Sequence, residues 1–416
     1  MDGFTIAPKP AAHVGIGAVG LLPEIVRATG ADQVVVVTDA ALAATPVIAT
    51  IQAVLADAGI PARLFAGVHS NPTTDDLAAG ADAVAQMTAD ATASASAAAV
   101  TATLKASAPP LSAPPAPPLK RITLVAVGGG SPIDAAKGIA LVAVNPRRGR
   151  DLGYRGDFAV PALPIVAVPT TAGTGSETSA FGVVTDPAGR RTFHVGHASS
   201  MPVAAILDPD LTVGLPPAVT AATGLDALTH ALESYLSARP NPWSDGIALQ
   251  VIRMIAASLP RACADGGDLA ARSQMLLAAH MAGVAMASTG LGLCHAIGHA
   301  LGARWDVAHG VALAIVLPEV LRFSRPARTQ RLAEVAFALG AGDTGADDQY
   351  NAAAAIGAVT GLRDMIGLDQ RIGEFGGTEA DLGQIAADAL DDEVLADTPR
   401  HPTGDDIRAI LMACAG

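Results

Sequence analysis

The sequence predicts an α/β dinucleotide-binding domain with a parallel sheet over residues 1–210, followed by an all-helical domain over residues 211–416. Three observations carry this. Apolar runs rich in β-branched residues (Val34–Val37, Ile122–Val127 and the segment PALPIVAVP) alternate with helix-like stretches in the first half, as for strands buried on both faces. Two of those strands run directly into polar, glycine-rich loops. From about Leu211 onward no strong strand signal returns, and amphipathic helices follow one another.

Composition agrees. The chain is 50% hydrophobic but only 3% aromatic, which suits closely packed helices and a buried sheet better than an aromatic-rich sandwich. Its 416 residues are ample for two domains. A net charge of −13 with no basic run makes nucleic acid and anionic membrane surfaces poor partners. Cys263, Cys294 and Cys414 give no disulfide framework, and MDGFTIAPKPAAH lacks the apolar core of a signal peptide, so a cytoplasmic protein is expected. Ser273 to Cys294 contains no Asp, Glu, Lys or Arg and is long enough to span a bilayer. Its Gln274, His280 and small residues fit a helix buried inside a large domain better.

Along the chain, HVGIGAVGLLPEIVRATG reads as a glycine-rich segment leading into a helix. The strand Val34–Val37 then ends on Thr38 and Asp39. An acid there can accept hydrogen bonds from ribose hydroxyls or serve as a helix N-cap. A helix over 46–59 and a strand over 62–66 follow, and HSNPTTDDL is a loop with Asn71-Pro72 as its breaker. Residues 89–119 are rich in Ala, Ser, Thr and Pro, and read as a loosely ordered surface insertion. The strand Ile122–Val127 meets Gly128, Gly129, Gly130 and Ser131, then a helix with Pro132 near its start. Such a turn lets backbone N–H groups cradle a pyrophosphate, although it is not the G-x-G-x-x-G pattern. A second polar loop, Pro169 to Glu177, follows the next strand and strengthens the nucleotide reading. FGVVTD and AAILDPDLT read as strands closing the domain.

The helical half carries the histidines. Asp226 and His230 are four apart, as are His295 and His299, so each pair shares a helix face. Asp306 and His309 follow a Gly302-Ala303 break. Such a nitrogen- and oxygen-rich set can hold a divalent metal, or be a group of buried, hydrogen-bonded side chains. Spacing alone does not choose between His299 and His309 as a fourth ligand.

The strings TDAAL, GGGSPIDAAK, PTTAGTGSE, TAATGLDALTHALE, GLGLCHAIGHALGA and AHG occur in this order over nearly the whole length. By them the chain resembles the iron-containing (group III) alcohol dehydrogenases. The resemblance implies the dehydroquinate synthase-like architecture that family shares. It implies that Asp226, His230, His295 and His309 bind the metal, and that His299 lies near substrate and nicotinamide as a catalytic or supporting residue. It implies cofactor contacts from Asp39, Asn71, Gly129, Gly130, Ser131, Asp134, Thr170, Thr171 and Thr174. The implied reaction is metal-dependent hydride transfer between an alcohol, or the matching aldehyde, and NAD(P). Asp39 should repel a 2′-phosphate, which favours NAD over NADP. Iron(II) is the first expectation for the metal and zinc the second. A homo-oligomer is implied, with no nucleic-acid or membrane partner. The alternative is a maleylacetate reductase-like enzyme, or another reductase of the same superfamily. The former is metal-independent, against which the complete ligand set argues. A dehydroquinate-synthase-like lyase would need a Lys/Arg phosphate cluster, for which only Arg304 offers itself in the helical half. One departure stands out: many relatives carry Lys where this chain has Thr192, just after Arg190 and Arg191.

Overall fold

The computed structural model describes the backbone of residues 10–103, 121–145, 152–154, 156–189, 191–376 and 378–415, and the side chains of these residues except 91–103 and 191–192. The chain divides into two compact units. One comprises residues 10–170 and 176–211, the other 171–175 and 212–415.

The first unit is built on a six-stranded, fully parallel sheet. In chain order it contains β1 (Ala11–Val14), α1 (Leu22–Ala28), β2 (Gln33–Asp39), α2 (Ala40–Ala43), α3 (Pro46–Asp57), β3 (Ala62–Val68), α4 (Thr74–Thr103), β4 (Ile122–Gly128), α5 (Gly130–Val142), β5 (Ile165–Pro169), β6 (Phe181–Asp186), β7 (Arg191–Gly196) and β8 (Ala204–Leu207). The sheet order is β1-β8-β5-β4-β2-β3. Every residue of β4 and β5 is buried, which is why those segments read as unbroken apolar runs. One apolar layer gathers Val35, Leu124, Ile133 and Ile139 on one face. Another gathers Val34, Val36, Ile51 and Leu55 on the other.

Strands β2 and β4 are neighbours, with Val34 opposite Thr123 and Val37 opposite Ala126. The chain leaves β2 toward β3 on one side and β4 toward β5 on the other. Their carboxyl ends therefore flank a topological switch point, where open α/β sheets bind ligands.

Four expectations for the first half of the chain change. FGVVTD does not join the main sheet: β6 pairs antiparallel with β7 as a separate ribbon, while β8 returns between β5 and β1. The first strand, β1, was not foreseen; its AAHV sequence is largely exposed at the sheet edge. Residues 89–103 are not loosely ordered but continue α4, because alanine is the strongest helix former and extending a helix needs no new nucleus. Residues 104–119 of the expected insertion lie outside the described residues, as does Arg190. The segment Pro169 to Glu177 is split, since residues 171–175 group with the helical unit. Its glycines answer to helix packing there. A Cβ on Gly173 would lie 2.7 Å from Thr223, and one on Gly175 (φ +61°) 2.8 Å from the Gly283 backbone.

The second unit contains α6 (Pro217–Leu236), α7 (Pro242–Ala264), α8 (Leu269–Thr289), α9 (Leu293–Trp305), α10 (His309–Ala338), α11 (Asp348–Met365), α12 (Glu379–Leu390) and α13 (Gly404–Ala413). Leu225, Leu228, Ile252, Ile255, Ile297 and Leu313 belong to its continuous core. Among the described residues α7 is long and apolar enough to cross a membrane by length and composition alone, and its Val251, Ile255 and Leu259 are buried in that core. The Ser273–Cys294 stretch is not one straight helix: α8 and α9 meet at 107°. Nor do Gly302 and Ala303 break the chain. Helix α9 continues through them and ends at Asp306, which adopts a left-handed conformation (φ 53°) as its C-cap.

Candidate functional site

Helix α6 places Asp226 and His230 one turn apart, α9 supplies His295, and His309 is the first residue of α10. Asp226, His230 and His295 are buried, at 2%, 4% and 1% exposure. The Nε2 atoms of His230, His295 and His309 lie 3.4, 3.5 and 3.6 Å from the same atom, Asp226 Oδ1. Asp226 Oδ1 and His295 Nε2 have no hydrogen-bond partner although both are buried, and His230 Nδ1 is likewise unpaired. Buried polar atoms left this way are costly unless something satisfies them. Nitrogen and oxygen ligands about 2.0–2.1 Å from a tetrahedral ion stand about 3.4 Å from one another. The spacing is thus that of a coordination shell, and this donor set fits a divalent ion. Asp226, His230 and His295 form its compact, buried part. His309 reaches the same carboxylate oxygen but keeps 42% of its side chain exposed.

Close backbone approach makes this convergence geometrically available. A Cβ on Gly310 would sit 2.1 Å from the Ala222 carbonyl oxygen, so only glycine lets the first turn of α10 lie against α6 with His309 beside Asp226. The left-handed turn at Asp306 redirects the chain from α9 into α10. Asp306 therefore shapes the bend.

Charge is matched to this geometry. Burial opposes ionisation of Asp226, yet the surrounding imidazoles hold its carboxyl well below the usual range. Burial pushes His230 down to about 4, keeping it neutral and ready to donate a lone pair. Burial also opposes the His295 cation, but Glu233 and Asp226 outweigh it and lift that histidine to about 9, so a bound metal has to displace its Nε2 proton.

Sequence reasoning missed Glu233, which accepts from His295 Nδ1 at 2.5 Å through Oε2. It also accepts from the backbone N–H of Gly292 at 3.0 Å and of Cys294 at 2.7 Å. The signal was available: Glu233 lies seven residues after Asp226 and three after His230, on the same face of α6. His299, one turn beyond His295, points elsewhere. Its Nδ1 meets Asp392 Oδ2 at 2.7 Å, its ring stacks 5.5 Å from His309, and 43% of its side chain is exposed. Partial burial, joined by the neighbouring His295 and His309, lowers its pKa despite Asp392.

In the α/β unit, Asp39 and the glycine turn sit at the carboxyl ends of adjacent β2 and β4. Asp39 Oδ1 accepts from Leu42 N–H at 2.8 Å and so caps α2, one of the two roles its position suggested. Gly128 (φ +148°) has no room for a side chain, because a Cβ would lie 2.5 Å from Pro132. Gly129 and Gly130 open α5, and the Ser131 hydroxyl donates to the Ser70 carbonyl, tying this turn to the loop that carries exposed Asn71. Thr170 N–H donates to the Gly128 carbonyl at 2.9 Å. Thr171 and Thr174 fall in the other unit. Asp134 is committed to protein partners: Lys137 at 3.2 Å, the Ser176 hydroxyl, and Val183 N–H at 2.9 Å. Lys137, also missed, is fully buried and donates in addition to the Ser176 and Phe181 carbonyls and the Ser179 hydroxyl at 2.6–3.1 Å. Thr192 pairs with Thr185 in the β6–β7 ribbon.

Comparison with known proteins gives concordant results. Residues 10–102 and 121–209 match the family model for iron-containing alcohol dehydrogenase, and residues 220–415 match that for the C-terminal part of the Fe-containing alcohol dehydrogenase family. A probable alcohol dehydrogenase, EutG, of Salmonella typhimurium is 37% identical over 412 residues, covering 99% of this chain and 94% of its own. The NAD-dependent methanol dehydrogenase of Bacillus methanolicus is 34% identical, with 99% of both chains covered. Among solved structures, a 1,3-propanediol oxidoreductase superposes with a TM-score of 0.87 at 33% identity, covering 99% of this chain and all of the other.

Proposed function

This chain belongs to the iron-containing alcohol dehydrogenase family, an oxidoreductase acting on alcohols and aldehydes, and from that premise we propose how its own residues divide the work. Asp226, His230, His295 and His309 hold one divalent ion, iron(II) first and zinc second. The observation that carries this is the convergence of three imidazole nitrogens on one unpaired, buried carboxylate oxygen. The α/β unit binds NAD at its switch point, supported by the glycine turn after β4, the α5 N-terminus and Asp39 at the end of β2. The Asp39 carboxylate disfavours a 2′-phosphate, which places NADP second.

When bound, the ion supplies Lewis acidity to the substrate oxygen and the nicotinamide is the hydride partner. His299 moves the hydroxyl proton. Asp392 fixes its Nδ1, leaving Nε2 to take the proton, and its exposure connects it to solvent. In oxidation His299 would take the alcohol's hydroxyl proton at Nε2 and pass it to solvent; in reduction it would return one. Relatives named for methanol and 1,3-propanediol support a short-chain alcohol or diol as substrate. The three free cysteines support a reducing, cytoplasmic setting, and the family supports a homo-oligomer.

The test is a short-chain alcohol and aldehyde panel with NAD and NADP, followed by nicotinamide absorbance on protein reconstituted anaerobically with Fe²⁺ or Zn²⁺. Metal-dependent, NAD-preferring turnover is expected. Turnover indifferent to chelation would refute the metal's role.

A further inference from the structure

We propose that Glu233 is a positioning residue of the metal centre, fixing the orientation and tautomer of His295 while anchoring the start of the helix that carries it. This rests on the metal reading above. Three contacts at 2.5–3.0 Å converge on one carboxylate that is only 9% exposed. Oε2 accepts from His295 Nδ1 and Gly292 N–H, and Oε1 accepts from Cys294 N–H. The two backbone donors lie at the N-terminus of α9, where free N–H groups and the helix dipole favour an anion. The fit is close, since a Cβ on Gly292 would lie 3.1 Å from Glu233 Oε1.

The consequence for His295 is geometric. In the neutral ring that ligates a metal, the proton on Nδ1 is held by Glu233 and the lone pair is on Nε2, the atom that lies 3.5 Å from Asp226 Oδ1 without a hydrogen-bond partner. Imidazole ligands are commonly held by such a carboxylate, which fixes the ring and raises its basicity. Glu233 projects from α6, which also carries Asp226 and His230, so one carboxylate locks the α9 ligand to the helix bearing two others. It also changes the local charge. A divalent ion with Asp226 alone leaves a net +1, whereas Glu233 behind His295 brings the assembly to neutrality.

Glu233→Gln tests this because the amide cannot satisfy all three donors. With its NH₂ at the Oε2 position it confronts Gly292 N–H and asks His295 Nδ1 to accept, driving the proton onto Nε2. With its NH₂ at the Oε1 position it confronts Cys294 N–H. Zn²⁺ affinity would be measured on the full chain at 25 °C by competition with a chelator, and the visible spectrum of the Co²⁺-loaded protein recorded beside it. Affinity about 10- to 100-fold weaker than wild type, with shifted Co²⁺ bands, is expected. Affinity within twofold of wild type overturns the proposal. So does weaker binding with superimposable Co²⁺ bands, because that assigns Glu233 to capping α9 alone. Should the Gln variant not fold, Glu233→Asp serves; it keeps the charge but shortens the reach to Nδ1, and the same two criteria apply. Failure of wild type to bind Zn²⁺ or Co²⁺ would instead strike the metal reading itself.

Discussion

Gly310→Ala is a change of one methyl group that should disable a metal centre the residue does not itself ligate. The added Cβ would lie 2.1 Å from the Ala222 carbonyl oxygen, 2.6 Å from its carbon and 3.1 Å from Cα. All three are backbone atoms of α6, so no flexible side chain can yield. An ordinary carbon–oxygen contact is about 3.3 Å, so the first turn of α10 must retreat by about 1.2 Å. His309, now 3.6 Å from Asp226 Oδ1, would then stand between about 4 and 5 Å away, beyond the roughly 3.4 Å edge of a tetrahedral shell. The overpacking itself should cost about 1–3 kcal/mol, or about 2–12 °C in Tm for a unit of this size. Metal affinity should fall at least as far as when a supporting residue is lost, about 10- to 100-fold. Thermal melting of the metal-free protein and chelator-competition titration measure the two effects separately. A variant that melts within 1 °C of wild type and binds metal equally well would show that this backbone approach does not set the position of His309.

Three further substitutions probe other parts of the account. His299→Ala should retain the metal but lose about 10²-fold or more in turnover. It should also lose the inflection that His299 imposes on alcohol oxidation, which in wild type rises with pH as the residue, its pKa lowered, gives up its proton; superimposable pH–rate profiles would remove it from proton transfer. Asp39→Asn keeps an oxygen to accept from Leu42 N–H while removing the charge, so the kcat/KM preference for NAD over NADP should fall about tenfold or more; an unchanged ratio would leave Asp39 as a helix cap only. Lys137→Met removes the ammonium that Asp134 and four other acceptors share at a fully buried position, and denaturant unfolding should show a loss of about 3–5 kcal/mol; a change under 1 kcal/mol would mean this ammonium is not holding the segment 176–181 to α5.

Much of this was legible in the sequence because the signals are periodic. Runs such as Val34–Val37 and Ile122–Val127 announce buried strands, and the four-residue spacing of Asp226 with His230 puts both on one helix face. Other features are set by contacts distant in sequence. Glu233 looks like any surface acid of a helix until α9 brings Gly292, Cys294 and His295 to it, about 60 residues later. Lys137 reads as solvated until the Ser176–Phe181 segment covers it. Gly173, Gly175 and Gly310 look like loop glycines, but each is explained by a helix backbone or side chain pressing against it. Strand β1 is too short and too exposed to show alternation. The continuation of α4 was hidden because a chain poor in bulky apolar residues can still be helical when it is rich in alanine.

The central claim is that one largely buried constellation on α6, α9 and α10 holds a divalent metal. Metal analysis of the 416-residue chain, reconstituted anaerobically with Fe²⁺ and desalted, tests this most directly beside His295→Ala. The account predicts about one ion per chain in wild type and less than about a tenth of that in the variant, with alcohol-dependent NAD reduction lost in step. Equal metal content in the two proteins, or an active His295→Ala, would contradict it.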